Sequence, residues 1–461
     1  MKNTKRKMLF HSFYDHTGIE AHLERMAERG WLLDKIGKAF WRYRRIEPRK
    51  LTFCVSYFPK ASQFDPGPSE AQETFYDFCA HTGWTLAASS AQLQVFYNER
   101  EDPTPIDTDP VLEVDAIHQS AKKGWLISMF IFLGLSLITE TMFLSQLLDR
   151  PLDILCNPYA LFAVLCYAAL FLLTAVELAT YYIWRSRAKR AAEQGEFLAT
   201  RSHPVLQKLL LALITVGFVW LAVSQLFGGS GPLAVLMVAM TCSVFAVVAI
   251  VWGVSSLMMR KNVSKDTNRM VTWFLSIALS LLLVALIPAV IFQLDQSGWR
   301  EQAVRPDELP LALPELLHVP ADGADWDWDR NVSSSPLVDY LSARQYLWNG
   351  REAGGPAPLW LSYSVAVVKA PFLYDVCKNE MLTRYDTRDR LGVPEGEKSW
   401  YEPADPAPWG AEDAYEKYFQ NPAVTGPTYL LCYPGRIVEI DFDWEPTPEQ
   451  IALAAEKLGG V

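Results

Sequence analysis

The stretch that decides the fold of the N-terminal region is YDHTGIEAHLERMAERGWLL at residues 14–33, and a related stretch, ETFYDFCAHTGWTL, follows at residues 73–86. In both, apolar residues recur every three or four positions, as on one face of a helix. Each pattern ends at a glycine followed by a tryptophan: Gly30-Trp31 and Gly83-Trp84. Glycine readily adopts the left-handed conformation that closes a helix, and the next side chain can pack back onto the last turn. The Gly-Trp pairs are therefore predicted to end two helices.

Strand-like runs flank each helix, one before it and two after it. They cover residues 8–14, 31–37 and 39–46 around the first helix, and 51–58, 84–90 and 93–99 around the second. Capping-box patterns are predicted to start the helices: Thr17 with Glu20, and Ser69 with Gln72. The order strand, helix, strand, strand occurs twice, which predicts a duplicated β-α-β-β domain of the α+β class over residues 1–120. Its candidate core aromatics are Phe10, Trp41, Tyr43, Phe53, Tyr57 and Phe96.

The pairing of GIEAHLERMAERGWLLDKIGKAFWRYRR with FCAHTGWTLAASSAQLQVFYNE resembles the bacterial family called domain of unknown function 2812, over residues 8 to about 100. The resemblance implies a module that precedes membrane helices and whose genes often neighbour transcriptional regulators of the PadR type. It therefore implies a cytoplasmic protein partner, such as a PadR-type regulator system. The family has no agreed catalytic residues, so the resemblance assigns none here.

The charges divide the chain into unlike regions. Residues 1–123 carry 17 Lys and Arg against 17 Asp and Glu, so they lack the basic excess of a nucleic-acid-binding domain, and no direct nucleic-acid binding is expected. Residues 295–461 carry 14 Lys and Arg against 28 Asp and Glu, a net charge of −14. The apolar residues concentrate between these two regions.

The central region, residues 121–295, is predicted to cross a lipid bilayer five times, because a helix needs about 20 apolar residues to span the hydrocarbon. The turn GGSGP at 228–232 separates the third span from the fourth. The predicted spans are residues 125–148, 158–184, 208–227, 232–259 and 271–294.

Short-loop charges predict the orientation of these spans. The loops after the second and fourth spans hold five and four Lys or Arg residues, whereas the first loop has Arg150 alone and GGSGP has none. Because Lys and Arg concentrate in cytoplasmic loops, the sequence predicts a multi-pass cell-membrane protein with a cytoplasmic N-terminus and an extracytoplasmic C-terminus.

The acidic C-terminal region, residues 296–461, is predicted to be a small extracytoplasmic α+β domain. Most of 296–358 is expected to be loop, with a helix near 336–348. A strand at 359–368, a helix at 371–384, a hairpin around Pro434-Gly435 and a final helix from Thr447 follow. The predicted core is Trp360, Tyr363, Val365, Val367, Leu431, Ile437 and Ile440.

Candidate site residues are few. Glu140 and Glu177 are the carboxylates inside predicted spans, where acids often have a function; they lie at different depths, which favours helix-helix hydrogen bonding or snorkelling over a shared proton path. Cys377 and Cys432 are placed outward, where a disulfide is chemically permitted, although their apolar settings are typical of buried free thiols.

No cofactor or metal site is predicted. DWDWD at 325–329 has carboxylates at alternate positions, yet it lacks the glycine and glutamate that a calcium loop requires, so a solvated acidic loop is expected. The histidines show no zinc-type spacing, and phosphate-loop and hydrolase motifs are absent from the sequence.

The leading hypothesis is a non-enzymatic membrane protein for sensing or signalling, with an outward domain, five anchoring helices and a cytoplasmic partner-binding module. The alternative is an accessory subunit of a transport or export system. A membrane enzyme ranks third, because no nucleophile, metal or phosphate motif supports it.

Overall fold

The structure is a computed structural model, and it describes the chain outside ten short gaps. The described residues are 3–37, 40–227, 231–296, 309–319, 325–348, 359–388, 392–394, 397–420 and 426–460. The chain forms two compact units. The first comprises residues 1–138 and 166–294, and the second comprises residues 139–165 and 295–461.

The N-terminal domain of the first unit contains the same supersecondary unit twice. The first repeat consists of β1 (Thr4–Lys7), α1 (His16–Glu28), β2 (Trp31–Lys35) and β3 (Trp41–Arg45). The second consists of β4 (Thr52–Tyr57), α2 (Glu70–His81), β5 (Thr85–Ser90) and β6 (Leu93–Asn98). Each repeat forms an antiparallel three-stranded sheet with its last strand in the middle, β1-β3-β2 and β4-β6-β5. The predicted β-α-β-β order is confirmed in both halves.

The correspondence between the repeats extends to irregular positions. The left-handed glycines Gly30 and Gly83 have φ of 77° and 89°. Three residues after each glycine the strand register shifts, between Leu33 and Lys35 in β2 and between Leu86 and Ala88 in β5. The second helix has the predicted Ser69–Gln72 capping box.

Two local predictions for the first repeat were wrong. Asp15, and not Thr17, caps α1, and its side chain accepts the Gly18 N–H. The first strand is residues 4–7 and not 8–14, because the later segment packs its side chains against helices of the same unit instead of extending a sheet. Of the predicted core aromatics, Phe10 is only partly buried, while Trp41, Tyr43, Phe53, Tyr57 and Phe96 are buried.

The region after the repeats is helical. Its helices are α3 (Pro110–Lys122), α4 (Trp125–Asp149), α5 (Pro151–Leu155), α6 (Pro158–Ala192), α7 (Pro204–Phe227), α8 (Gly231–Arg260) and α9 (Lys265–Gln296). Within the described residues, three segments are long and apolar enough to cross a membrane: Trp125–Asp149, Pro158–Ala192 and Lys265–Leu286. Two shorter apolar segments are Pro204–Trp220 and Ala246–Arg260. Residues 228–230 of the predicted GGSGP turn lie outside the described part.

The C-terminal part of the second unit is built on an antiparallel sheet in the order β10-β11-β12-β13-β9-β8-β7. The strands are β7 (Asp325–Ser334), β8 (Val338–Trp348), β9 (Leu359–Val368), β10 (Ser399–Ala404), β11 (Asp413–Phe419), β12 (Thr428–Tyr433) and β13 (Arg436–Phe442). The helices are α10 (Leu313–Leu317), α11 (Tyr374–Thr383) and α12 (Pro448–Gly459), with 3-10 turns at Pro371–Leu373 and Ala407–Trp409. The predicted strand at 359–368, the hairpin and the capped final helix are confirmed.

Two predictions for this region were wrong. Residues 338–348 of the predicted helix at 336–348 form the strand β8 instead, because pairing with both β7 and β9 overrides their local preference. The DWDWD stretch opens β7 and is not a loop; Trp326 and Trp328 pack against the core while the acidic residues alternate with them. Of the predicted core, Trp360 and Val367 are only partly buried and the other five residues are buried.

Both faces of this sheet are covered. One face packs against α10 and α12, through residues such as Val438 and Leu458. The other packs against α11 and also against α5, which belongs to the connection between α4 and α6. Neighbouring residues in β13, Ile437 and Val438, point to opposite faces and are both fully buried. The α4–α6 connection therefore completes the core of the C-terminal domain.

Candidate functional site: the joint between the N-terminal domain and the long helices

Four aromatic side chains meet where the N-terminal domain packs on the long helices. The ring of Tyr14 is fully buried. Its centroid lies 5.5 Å from the ring centroid of Trp125 in α4, 5.1 Å from that of Tyr181 in α6 and 5.5 Å from that of Trp184 in α6. Buried aromatic pairs at these distances add about 0.5–1.5 kcal/mol each beyond the area they bury. We call these four residues the aromatic joint. It explains why α6 continues to Ala192, past the predicted end of its span: its last turns are part of the domain core.

A polar network surrounds the carboxylate of Asp15, which is 2% exposed. Asp15 accepts hydrogen bonds from Thr200 at 2.9 Å and from Ser202, and it contacts His11 Nδ1 at 2.7 Å. Thr17 and Thr200 are joined by both main-chain and side-chain bonds, including Thr200 N–H to Thr17 Oγ1 at 3.0 Å. The segment between α6 and α7 is thus hydrogen-bonded to the start of α1.

The hydrogen bonds of this network favour the charged form of the Asp15 carboxylate. Burial alone would raise the pKa of Asp15, but hydrogen bonds with His11, Ser202 and Thr200 outweigh it and lower the pKa below its usual value. The arrangement is not a catalytic triad, because Asp15 and Ser202 both contact Nδ1 of His11, whereas a triad places the serine and the acid on opposite ring nitrogens. The network is therefore a structural contact that holds the loop between α6 and α7 against the start of α1 through a charged carboxylate.

Glu177 belongs to a neighbouring part of the joint. Its carboxylate is 4% exposed, accepts a bond from Gln207 Nε2 of α7 at 2.8 Å and accepts a second from Ser12 Oγ. Gln207 also donates to Ser12 at 3.4 Å. Glu177 therefore makes both a helix-helix hydrogen bond and a bond to the N-terminal domain.

A second group of acids lies between α1, β4 and α3. Glu20 accepts the Val55 N–H at 2.8 Å, and burial raises its pKa to about 8. Burial and the nearby Asp107 raise the pKa of Glu113 to about 7. His16 Nε2 lies 3.2 Å from Glu113 Oε1, and burial lowers the pKa of His16 to about 4. Glu20 and Glu113 therefore change charge near neutral pH, unlike Asp15 and His16.

In the second unit, the corresponding contact holds α5. Buried Glu380 of α11 accepts the Leu152 N–H and pairs with Arg384, which also lies 3.2 Å from Asp153. Ser335 donates to the Leu155 carbonyl at 2.5 Å, and Ser333 donates to the Cys156 carbonyl at 2.9 Å. We call these contacts the α5 clamp.

The remaining predicted site residues are dispersed. Glu140 lies in α4, and its Oε1 is buried without a hydrogen-bond partner among the described residues. Cys377 and Cys432 are both free, buried thiols in the structure instead of a disulfide; Cys377 packs in the apolar cluster with α5, and burial raises its pKa to about 12.

The Gly-Trp caps differ in their tryptophans. Trp84 is buried beside Cys79 and Phe96, whereas Trp31 is only partly buried, with Lys5 and Arg45 over its ring. Within the described residues, no group of three or more His, Cys, Asp or Glu side chains has the geometry to hold a metal ion.

Sequence reasoning missed most of the joint. Asp15 alone had a detectable signal, because an aspartate before a helical pattern is a preferred N-terminal cap. The capping-box spacing of Thr17 and Glu20 competed with that signal and led to the wrong cap. Ser12, Thr200, Ser202 and Gln207 carry no local signal, because their partners are more than 160 residues away or on another helix.

Comparison with protein families supports the resemblance noted above. The family described as protein of unknown function, DUF2812, matches residues 15–133. The match begins at the Asp15 cap and extends into α4, so it includes Tyr14's partner Trp125. Comparison with curated proteins and with solved structures gives no significant match.

Proposed function

Because residues 15–133 form a DUF2812 module, we propose that this protein is a multi-pass membrane protein that relays a state of its C-terminal domain to a protein partner of its N-terminal domain. The C-terminal domain is placed outside the cytoplasm and the N-terminal domain inside. The inner partner is a protein, of the PadR-type regulator system that the family resemblance implies.

Loop contacts support this orientation. The two loops richest in Lys and Arg both contact the N-terminal domain: Thr200 bonds to Thr17, and Lys265 lies 3.4 Å from Asp65. The first loop, with Arg150 as its cation, instead contributes α5 to the C-terminal domain. Since cations mark cytoplasmic loops, these contacts support placing the N-terminal domain inside and the C-terminal domain outside.

The proposed five spans are α4, α6, α7, α8 and α9. α4, α6 and α9 meet the length and apolarity of a span, and the described side chains of α7 and α8 are apolar over 17 and 15 residues, Pro204–Trp220 and Ala246–Arg260. We propose that the membrane part of α6 ends before Glu177, because Glu177 and Tyr181 are buried against the N-terminal domain.

One observation carries the relay: α4 and α6 each run from one unit into the other. In the first unit they are held by the aromatic joint and the Asp15 and Glu177 networks. In the second unit their connection is held by the α5 clamp. A helix transmits displacement along its axis because its hydrogen bonds resist compression, so a change at the clamp biases the joint.

Hydrogen exchange on the full chain in detergent micelles tests the relay. Glu380→Ala removes the clamp's central acceptor, and Glu439→Ala is the matched control, since Glu439 bonds to Tyr401 at 2.6 Å and makes no hydrogen bond to α5. We expect Glu380→Ala, but not the control, to change the exchange of amides at Thr17 and Thr200. Unchanged exchange in both variants would show that the helices are passive anchors.

The orientation is tested separately, by fusing a reporter that is active only outside the cytoplasm to the C-terminus of the chain. Activity in intact cells is expected. A reporter active only when placed inside the cell contradicts the assignment of both domains.

A transport accessory is the second candidate, and Glu140 is the observation that favours it, since an acid in a proposed span with a buried oxygen that lacks a described partner is typical of ion pathways. Ion flux in vesicles containing the wild-type chain or Glu140→Gln distinguishes the two, because a relay does not depend on that charge.

A further inference from the structure

A cavity of about 890 Å³ in the first unit is lined by the β1-β3-β2 sheet, by residues 61–91 of the second repeat and by the C-terminal turns of α8. The sheet contributes Arg6, Lys35 and Arg42 to its lining, and α8 contributes Trp252, Ser255 and Met259. The part of the lining from the sheet is thus cationic, and the part from α8 carries an aromatic ring, a thioether and a hydroxyl group. Neither the aromatic joint nor the acid group around Glu20 uses this space.

The three cations are concentrated by strand register. Arg6 lies directly opposite Arg42 on the neighbouring strand, and Lys35 lies opposite Arg42 on its other side. Like charges at directly paired positions destabilise a sheet. A row of three such positions is therefore a feature that an anionic ligand would stabilise.

The nearby carboxylates do not cancel this charge. Asp65, which also lines the cavity, lies 3.4 Å from Lys265 and accepts the Ser62 N–H at 2.7 Å. Asp34 pairs with Arg42. Counting the three wall cations and Lys265 against the two acids leaves a net charge of +2, which suits a phosphate group.

The aromatic residues of the lining indicate which class of phosphate compound the cavity would bind. Trp252 is 46% exposed, and Phe40, on the sheet side, is 53% exposed. α8 ends at Arg260, and the basic loop that follows marks the cytoplasmic face in the proposed orientation. A tryptophan just inside that end lies at the depth where interfacial aromatics meet lipid headgroups. Basic pockets beside membrane helices on this side bind anionic lipid headgroups.

We propose that this cavity binds the phosphate headgroup of an anionic phospholipid of the inner leaflet, with Arg6, Lys35 and Arg42 on the phosphate and Trp252 and Met259 against the acyl chains. The inference rests on the orientation proposed above, which the reporter fusion tests independently. It gives the N-terminal domain a third attachment, one that depends on the composition of the membrane.

The test uses the full chain in detergent micelles, titrated with phosphatidylglycerol or phosphatidylcholine, with bound lipid counted by native mass spectrometry. We expect phosphatidylglycerol to be retained in preference to phosphatidylcholine. Arg6→Gln with Lys35→Gln should weaken phosphatidylglycerol binding by about 25-fold, since each cation near an anionic lipid contributes about fivefold. The matched control, Arg25→Gln with Arg29→Gln, removes two exposed cations at the C-terminal end of α1 that do not line the cavity, and it should leave binding unchanged.

Three results would overturn the proposal. Equal retention of the two lipids shows that binding does not depend on the charge of the headgroup. Equal weakening by the control pair shows that the overall charge of the domain, and not the cavity, attracts the lipid. Displacement of phosphatidylglycerol by millimolar inorganic phosphate, together with unchanged binding in Trp252→Ala, assigns the site to a soluble phosphate compound instead. Thermal unfolding checks that binding changes are not folding defects: the Arg6→Gln with Lys35→Gln variant should be at least as stable as wild type, because its replaced cations are exposed and their repulsion with Arg42 is removed.

Discussion

Replacing Glu20 with Gln should remove much of the pH dependence of stability around β4 between pH 6.5 and pH 8. Burial is the main reason that the pKa of Glu20 rises to about 8, and the nearby Glu113 and Glu24 raise it further despite the bond from Val55 N–H. A glutamine can accept the same hydrogen bond but cannot ionise. The substitution therefore isolates the cost of placing a charge at this position.

The size of the effect follows from proton linkage. A glutamate in the unfolded chain ionises near pH 4.5, so between that value and about 8 the folded chain binds one proton more than the unfolded chain. Stability is highest below this interval and falls as pH rises through it. From pH 6.5 to pH 8 the loss is about 1.6 kcal/mol, or about 15-fold in the opening equilibrium. His16 acts with the opposite sign, because its pKa is lowered from 6.5 to about 4; most of its contribution falls between these two values, and it is nearly complete by about pH 7.5.

Hydrogen exchange of peptides covering β4, in the full chain in micelles and corrected for intrinsic exchange rates, measures this equilibrium. Wild-type protection should fall about 15-fold more than that of Glu20→Gln over the interval. Glu28→Gln removes an exposed carboxylate from the same helix and should keep the wild-type slope. If Glu20→Gln keeps the wild-type slope, or if Glu28→Gln flattens it equally, the buried acid is not the cause.

Two further substitutions test the backbone and the clamp. Gly30→Ala should destabilise the N-terminal domain by about 2–3 kcal/mol, because φ is 77° and a backbone oxygen lies 2.8 Å from the added Cβ. Gly83→Ala should cost only about 1 kcal/mol, because at φ 89° the nearest contact of its added Cβ is at 3.4 Å. Equal losses of stability in thermal unfolding would contradict the steric argument. Arg384→Met should lower the stability of the C-terminal domain by about 3 kcal/mol, because it leaves the buried Glu380 carboxylate without its cation. Hydrogen exchange of the amides in β9 and β13 measures this loss, and exchange slower than in wild type would refute the prediction.

Local patterns determined the features that depend on neighbouring residues. The repeated Gly-Trp ends, the Ser69–Gln72 cap, the duplicated β-α-β-β order, the apolar helices and the final hairpin are all set by interactions within a few residues along the chain, so their residue types and spacing are sufficient to predict them. The alternation of DWDWD also had the period of a strand, and the acidic composition obscured it.

Contacts between distant parts of the chain were decided only in the tertiary structure. Residues 338–348 lie in the predicted helix at 336–348 but form the strand β8, because β7 and β9 supply partners on both edges. Asp15, Ser12, Thr200 and Gln207 acquire their roles only when the loop between α6 and α7 folds against the start of α1. The cationic cavity likewise requires β1, β2 and β3 to align three positions that are isolated in sequence. The physical reason is the same in each case: burial and hydrogen bonding between distant segments carry more free energy than local preference, and one sequence without its fold does not show which segments meet.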